Sequence, residues 1–299
     1  MLTGIHVLLT YKCTFECDHC FLHCGSHREG TFTLRKLRDL LDEVEKIPTV
    51  DTVYFEGGEP FLFYPILLEG LRWVRDAGWH AGTVTNGYWA TSMEDAEQWL
   101  QPVAKIGIAD FSVSDDQFHS TKDADSPGSI ASGAALKMGL PCDRICIAAP
   151  TVAAPSDSAV EKGQPVTGGG VKFRGRAAEK LTSGLPVRPW QELTTCPYEK
   201  LADPERVHVD AYGNVHLCQG ISIGNMWSTP LSKLLHDYQA EKHPVAGPLL
   251  QGGPAQLARQ YGIGPAEGYV DECHLCYMLR KSLLPVFPQY LAPAQVYGM

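Results

Sequence analysis

The sequence predicts an α/β fold built around a parallel sheet. Short β-rich runs alternate with helical ones from the first residues onward, and the glycine turns and clustered cysteines fall just past the strand-like runs. With 299 residues, 44% of them hydrophobic and 20% charged, the chain can bury one large core or a core with a smaller satellite. "GIHVLLT" (4–10) reads as the first strand. "TLRKLRDLLDEVEKI" (33–47) has Leu34, Leu37, Leu40, Leu41, Val44 and Ile47 at helical spacing, and "DTVYFEGG" (51–58) is a strand running into a glycine turn. A helix near 64–77, strand "HAGTVTNG" (80–87), a helix near 92–105, strand "ADFSVSDD" (109–116), a helix near 128–138 and strand "DRICIAAP" (143–150) continue the alternation. A loop rich in Ala, Pro, Ser and Gly (151–170) leads to "VKFRGR" (171–176), expected as a sixth strand. Spacing alone leaves an open doubly wound sheet and a partly closed barrel as alternatives.

After about residue 185, "LPVRPWQEL" breaks the alternation, and 240–268 is rich in Gly and Pro. A smaller second unit, held by something other than a large core, is expected there. The net charge of −9 offers no basic patch for nucleic acid or an anionic membrane surface, so neither is an expected partner. The opening residues lack a basic, apolar export signal, and no run of about 18 apolar residues occurs, which places the chain in the cytoplasm. In that reducing setting ten cysteines are expected to bind metal where they cluster.

Cys13, Cys17 and Cys20, spaced C-x3-C-x2-C, lie in the loop past the first strand, where ligand sites of parallel α/β folds collect. Structural zinc takes four protein ligands, whereas a four-iron cluster on three cysteines keeps one iron open. This triad, followed by Gly57, Gly58, Glu59 and Pro60 after the second strand, resembles the radical S-adenosylmethionine (radical SAM) superfamily over roughly residues 4–176. The resemblance implies a partial (β/α)6 TIM-like barrel at 1–185 and a catalytic [4Fe-4S] cluster with S-adenosylmethionine on its open iron. Cleavage of that cofactor to a 5′-deoxyadenosyl radical would abstract a substrate hydrogen. It further implies that Glu59 receives the methionyl ammonium, that the glycines let carbonyls approach, and that His19 touches adenine. Thr85 and Asn86 would face the cofactor, with Ser112 and Ser114 near its ribose and methionine. Arg174 and Arg176 would hold a cofactor or substrate carboxylate. Asp115, Asp116 and His119 in "SDDQFHS" are the candidates for acid–base work on the substrate.

Cys196, Cys218, Cys273 and Cys276 form a second set, with Gly213 five positions before Cys218. It is similar to the auxiliary-cluster domains called SPASM and Twitch, which implies a second [4Fe-4S] cluster at 186–299; tetrahedral zinc is the alternative. Cys24, Cys142 and Cys146 are expected to be buried packing residues, and His208 and His216 to lie on a polar hairpin face. The resemblance implies an electron donor such as flavodoxin or ferredoxin. With a first strand at residue 4 and no leader-binding domain before it, a small-molecule substrate is expected, a sugar or cyclitol undergoing oxidation. Crosslinking or epimerisation of a ribosomal peptide is the alternative, and a noncatalytic electron carrier or sensor the alternative of another class.

Overall fold

A computed structural model of the chain describes residues 1–120, 125–152, 166–167, 169–264, 266 and 268–299. In β1 (Gly4–Thr10) the alternation of side chains sends Ile5, Val7 and Leu9 into the main core and His6 and Leu8 to the other face. α1 (Leu34–Val44) starts at Thr33, whose hydroxyl accepts the Lys36 N–H at 3.2 Å, and buries Leu37, Leu40, Leu41 and Val44. In β2 (Thr52–Gly57), Val53 and Phe55 join that core, while Tyr54 and Glu56 face away from it. α2 (Tyr64–Asp76), β3 (His80–Thr85), α3 (Met93–Ile106), β4 (Asp110–Ser114), α4 (Pro127–Lys137) and β5 (Cys142–Ile145) complete the alternation. α3 is capped by Ser92 at its start and by left-handed Gly107 at its end.

The two-residue strands β6 (Thr151–Val152) and β7 (Val166–Thr167) pair with each other. Then come α5 (Arg176–Lys180), β8 (Arg188–Pro189), β9 (Arg206–Asp210), β10 (Asn214–Cys218), β11 (Ile221–Asn225), α6 (Leu231–Asp237), α7 (Ala246–Gln260), β12 (Gly268–Tyr269) and α8 (Glu272–Leu283). The main sheet has the order β11-β10-β9-β1-β2-β3-β4-β5. Every neighbour pair from β9 to β5 is parallel, and β10 and β11 add an antiparallel hairpin.

The expected sixth strand at 171–176 is corrected. The Arg174 N–H bends back to the Lys172 carbonyl at 2.7 Å, Gly175 has φ of 61°, and α5 begins at Arg176. The sixth parallel strand is β9, which joins β1 on the side away from β2. Its Val207 and Val209 share the core with Ile5 and Val7, so sheet and core both continue past residue 185. Of the expected loop at 151–170, residues 153–165 and 168 lie outside the described residues. No helix of the described residues is long and apolar enough to cross a membrane.

Candidate active site and a second cysteine pocket

Beyond Thr10 the chain enters the loop carrying Cys13, Cys17 and Cys20. Its own backbone ties it at both flanks: Cys13 N–H donates to the Gly25 carbonyl at 3.2 Å, and Cys20 N–H to the Cys17 carbonyl at 3.1 Å. Arg176 holds it from outside, donating from its backbone to Cys20 O (2.9 Å), from Nε to Cys17 O (3.0 Å) and from Nη2 to Cys24 O (2.7 Å). Gly175 permits this approach, since a Cβ there would sit 2.5 Å from the Cys20 carbonyl oxygen. The expected carboxylate-binding role of Arg176 is thereby corrected: two edges of its fork are occupied by loop carbonyls.

The turn after β2 meets the same loop. Gly58 N–H donates to Thr10 O at 2.7 Å and Glu59 N–H to Lys12 O at 2.8 Å; a Cβ on Gly58 would lie 2.1 Å from that Lys12 oxygen. This glycine serves strand-to-loop packing, not the approach of a ligand. Glu59 is fully buried, and its carboxylate accepts from Phe61 N–H (2.9 Å), Thr85 Oγ1 (2.8 Å) and Asn86 N–H (2.7 Å). Burial outweighs those donors and pushes its pKa up to about 7. With both oxygens engaged by protein donors, Glu59 braces the ends of β2 and β3 and is not available as an ammonium receptor; Pro60 is buried and starts a 3-10 turn. Asn86 reaches back, its Nδ2 donating to Thr14 Oγ1 at 3.2 Å and to Cys13 Sγ at 3.5 Å.

His19 packs in an aromatic wall, with ring centroids 4.7 Å from Phe118 and 5.5 Å from His119. Burial lowers its pKa to about 4, and its Nδ1 has no hydrogen-bond partner among the described residues. Of the acid–base trio, His119 lines the cavity and Asp116 stands behind it, binding His119 Nδ1 at 2.8 Å and the Phe118 N–H at 2.9 Å. Asp115 is corrected: it accepts from Ser126, the cap of α4, at 2.7 Å and pairs with Arg144, which ties β4 to α4 and β5. Ser112 donates to Asp110 at 3.0 Å, and Asp110 and Ser114 line the cavity.

Cys13, Cys17, Cys20, His19, Gly57, Gly58, Thr85, Asn86, Ser114 and His119 share one cavity of about 640 Å³. Its far wall carries residues the sequence reading did not select, His6, Tyr54 and Glu56. Glu56 bridges His6 Nδ1 at 3.1 Å and His208 Nδ1. Burial works to raise the Glu56 pKa, but the two imidazoles hold it well below the usual carboxylate range. The available signal was the polar alternation Thr52, Tyr54, Glu56 in an otherwise apolar strand. His208, expected on a hairpin face, is buried.

The second cysteine set converges from three segments. Cys218 ends β10, Cys273 and Cys276 stand one turn apart in α8, and Cys196 comes from the loop after β8; all four line one enclosed pocket. Arg174 is in its wall, 4% exposed, with Nη1 donating to Cys218 Sγ at 2.7 Å and lying 3.4 Å from Glu199. That corrects its expected place beside the cofactor carboxylate. Burial tends to lower its pKa, but Cys218, Cys273 and Glu199 raise it overall. Arg280, also missed, is 1% exposed in the same wall. Cys146 is exposed and Cys142 half-buried, so the former is corrected as a packing residue, while Cys24 is buried as expected. Cys24 hydrogen-bonds the Cys20 sulfur and holds that thiol below its usual range.

The donor sets test the groups the resemblance implies. Zn–S bonds of about 2.3 Å put tetrahedral sulfurs roughly 3.8 Å apart. Among the described residues, the groups of three ligand atoms mutually within 4.8 Å are His6–Glu56–His208 and His19–Asp116–His119, and no cysteine belongs to one. Among the described residues, no three sulfurs of either cysteine set lie as close together as a single tetrahedral zinc requires. Burial pushes Cys13 up to about 11 and Cys17 and Cys196 up to about 12, so these thiols would have to lose their protons to hold a metal core.

Residues 7–121 match the family model of the Radical SAM superfamily. YydG of Bacillus subtilis (strain 168), named for peptide biosynthesis, is 24% identical over 115 residues, 38% of this chain and 36% of that protein. A Pyrococcus furiosus protein named as modifying the cofactor of tungsten-containing aldehyde ferredoxin oxidoreductase is 29% identical over 105 residues, 35% of this chain and 28% of that one. The chain thus spans about a third of the length of these curated relatives. The crystal structure of BtrN in complex with AdoMet and 2-DOIA superposes with a TM-score of 0.50 at 16% identity, over 79% of this chain and 83% of that one, a likeness of fold. The family match makes residues 7–121 similar to the Radical SAM superfamily, whose members are enzymes, and the BtrN structure shares with this chain a mostly parallel α/β sheet.

Proposed function

We propose that the protein is a radical SAM enzyme that oxidises a small polyhydroxylated molecule, a sugar or cyclitol, by hydrogen abstraction. The observation that carries this reading is the meeting of the three-cysteine loop, Gly57–Gly58, Thr85, Asn86, Ser114 and His119 in one cavity. Cys13, Cys17 and Cys20 would hold a [4Fe-4S] cluster and its S-adenosylmethionine, which supply a 5′-deoxyadenosyl radical when bound. The residues of the chain do the rest. Arg176 and Asn86 fix the loop, and neutral His19 offers its ring face and an unpartnered nitrogen. His119, oriented by Asp116, holds a proton-accepting nitrogen at the cavity wall. At about 640 Å³ the cavity falls in the range of small-ligand sites, and His6, Tyr54 and Glu56 line it with hydrogen-bonding groups suited to hydroxyls.

Cys196, Cys218, Cys273 and Cys276 would bind a second [4Fe-4S] cluster at the side of the sheet that β9 to β11 extend. A cytoplasmic flavodoxin or ferredoxin would supply electrons. The match to YydG supports a second reading, modification of a ribosomal peptide. Anaerobic reconstitution tests the first claim: about eight irons per chain and reductant-dependent 5′-deoxyadenosine are expected. Absence of 5′-deoxyadenosine in the loaded chain would leave a noncatalytic electron carrier. Deuterium transfer into 5′-deoxyadenosine from labelled cyclitols, against transfer from labelled peptides encoded beside the gene, separates the two substrate classes.

A further inference from the structure

Arg280 is a cation in an unusual place. Its side chain lies in the wall of the four-cysteine pocket and is 1% exposed. Nη1 donates to the Gln219 carbonyl at 2.8 Å and lies 3.4 Å from the Tyr297 hydroxyl, both neutral acceptors. The Tyr297 ring centroid is 5.6 Å from its guanidinium carbon. No carboxylate pairs with it among the described residues, and its Nε has no hydrogen-bond partner there. Arginine stays charged in proteins, and a buried charge without a counter-ion costs several kcal/mol. Arg174 repeats the pattern across the pocket: its Nε is also unpartnered, and its Nη1 points at a sulfur, although Glu199 neutralises it in part. Two buried guanidiniums with unpartnered Nε donors face a pocket lined by four thiols and by Glu199 and Glu272, whose carboxylates pair with Arg174 and Arg188 and not with Arg280.

The cysteine loop differs. Its guanidinium, Arg176, is bound to backbone carbonyls, and buried carboxylates, Glu59 and Asp116, stand nearby. Carboxylates stand beside both cysteine sets, Glu199 and Glu272 at the second, but only the second has a buried arginine, Arg280, that no carboxylate pairs with among the described residues.

We propose that Arg280, assisted by Arg174, is the counter-charge of the auxiliary cluster and raises its reduction potential, biasing that cluster to accept one electron. This rests on the reading that the four cysteines hold a cluster. Four thiolates around an iron–sulfur core leave it net negative, and one-electron reduction adds further negative charge, which nearby cations favour. Arg280 would act on potential and retention through the cluster's surroundings; it is a positioning residue and not a ligand.

The test uses the full chain carrying Cys13→Ala, Cys17→Ala and Cys20→Ala, so that any remaining cluster is the auxiliary one. It compares Arg280→Gln, Arg280→Lys and Arg174→Gln by anaerobic titration followed by electron paramagnetic resonance. In Arg280→Gln the reduced-to-oxidised ratio at fixed potential is expected to fall at least tenfold, which is 59 mV for one electron. Arg280→Lys, which keeps the charge, is expected to stay within about threefold of the parent, and Arg174→Gln to fall between them because Glu199 already offsets part of its charge. A folded Arg280→Gln chain that loses its iron while Arg280→Lys retains it also supports the proposal. Equal potentials in the parent and both glutamine variants overturn it, as does a lysine variant shifted as far as the glutamine one. If Arg280→Gln does not fold, Arg174→Gln against the parent decides by the same measurement. If the cysteine variant folds yet holds no cluster, the two-cluster reading fails first, and that outcome is visible before any arginine is changed. If it does not fold, the same substitutions in the unaltered chain, read as two titration steps, replace it.

Discussion

The two cysteine sites use the same side chain under opposite conditions. Cys13, Cys17 and Cys20 sit on a loop that opens onto a cavity of about 640 Å³, and backbone carbonyls, Asn86 and Arg176 hold the loop in place. Cys196, Cys218, Cys273 and Cys276 come from a loop, a strand end and a helix and close on an enclosed pocket with two buried arginines. Three cysteines beside a roomy cavity would leave room for a further ligand on a core they held; four in a closed pocket would tie distant segments together and exclude one. The difference lies in what surrounds the sulfurs.

The comparison breaks first at the loop. Cys13→Ala should abolish 5′-deoxyadenosine formation while leaving about four irons per chain, measured by product chromatography and iron assay; retained cleavage would remove the loop from the chemistry. Next in size is Cys218→Ala. It removes one of the four proposed ligands and also strips Arg174 of its sulfur partner, so a buried cation is left with less compensation, at a cost on the order of several kcal/mol. A large drop in Tm of the reconstituted chain, exceeding that of Cys13→Ala, is the expected result; equal drops would mean the second pocket does not tie the fold together.

A smaller effect is expected on acidification. His23 and His274, the first near the cysteine loop and the second in α8, are both lowered from 6.5 to about 4, chiefly by burial. Depressed folded values mean that the unfolded chain takes up protons first, so the stability they contribute is present above pH 6.5 and is lost as pH falls toward 4. Thermal melts across that window should show Tm falling, with a shallower slope in His23→Gln. The smallest effect is assigned to Arg176→Lys, which keeps the charge but cannot reach two carbonyls at once. A cost of about 1–3 kcal/mol is expected, read as Tm lowered by roughly 2–4 °C per kcal/mol, with potentials of the auxiliary cluster unmoved.

Much of this was legible from pattern. The leucines of α1 and the strand run of β2 each point to what they form, because periodicity is a property of short stretches. The failures have one cause. "VKFRGR" reads as a strand, yet a tight turn at Arg174 and a left-handed Gly175 carry Arg176 onto the cysteine loop instead. Asp115 was selected by its position at a strand end and Glu59 by the motif it shares with the family, but neighbouring donors from β3, α4 and β5 engage both carboxylates.

By itself the sequence determined the alternating elements, the two cysteine sets and the family they resemble, since each depends on residue type at near spacing. Only the tertiary structure decided that β9 completes the parallel sheet beside β1, that His6 and Glu56 face the cavity, and that Arg174 and Arg280 face the second pocket. Those outcomes depend on which distant groups arrive beside a side chain and how much water they exclude, and a local pattern carries neither quantity.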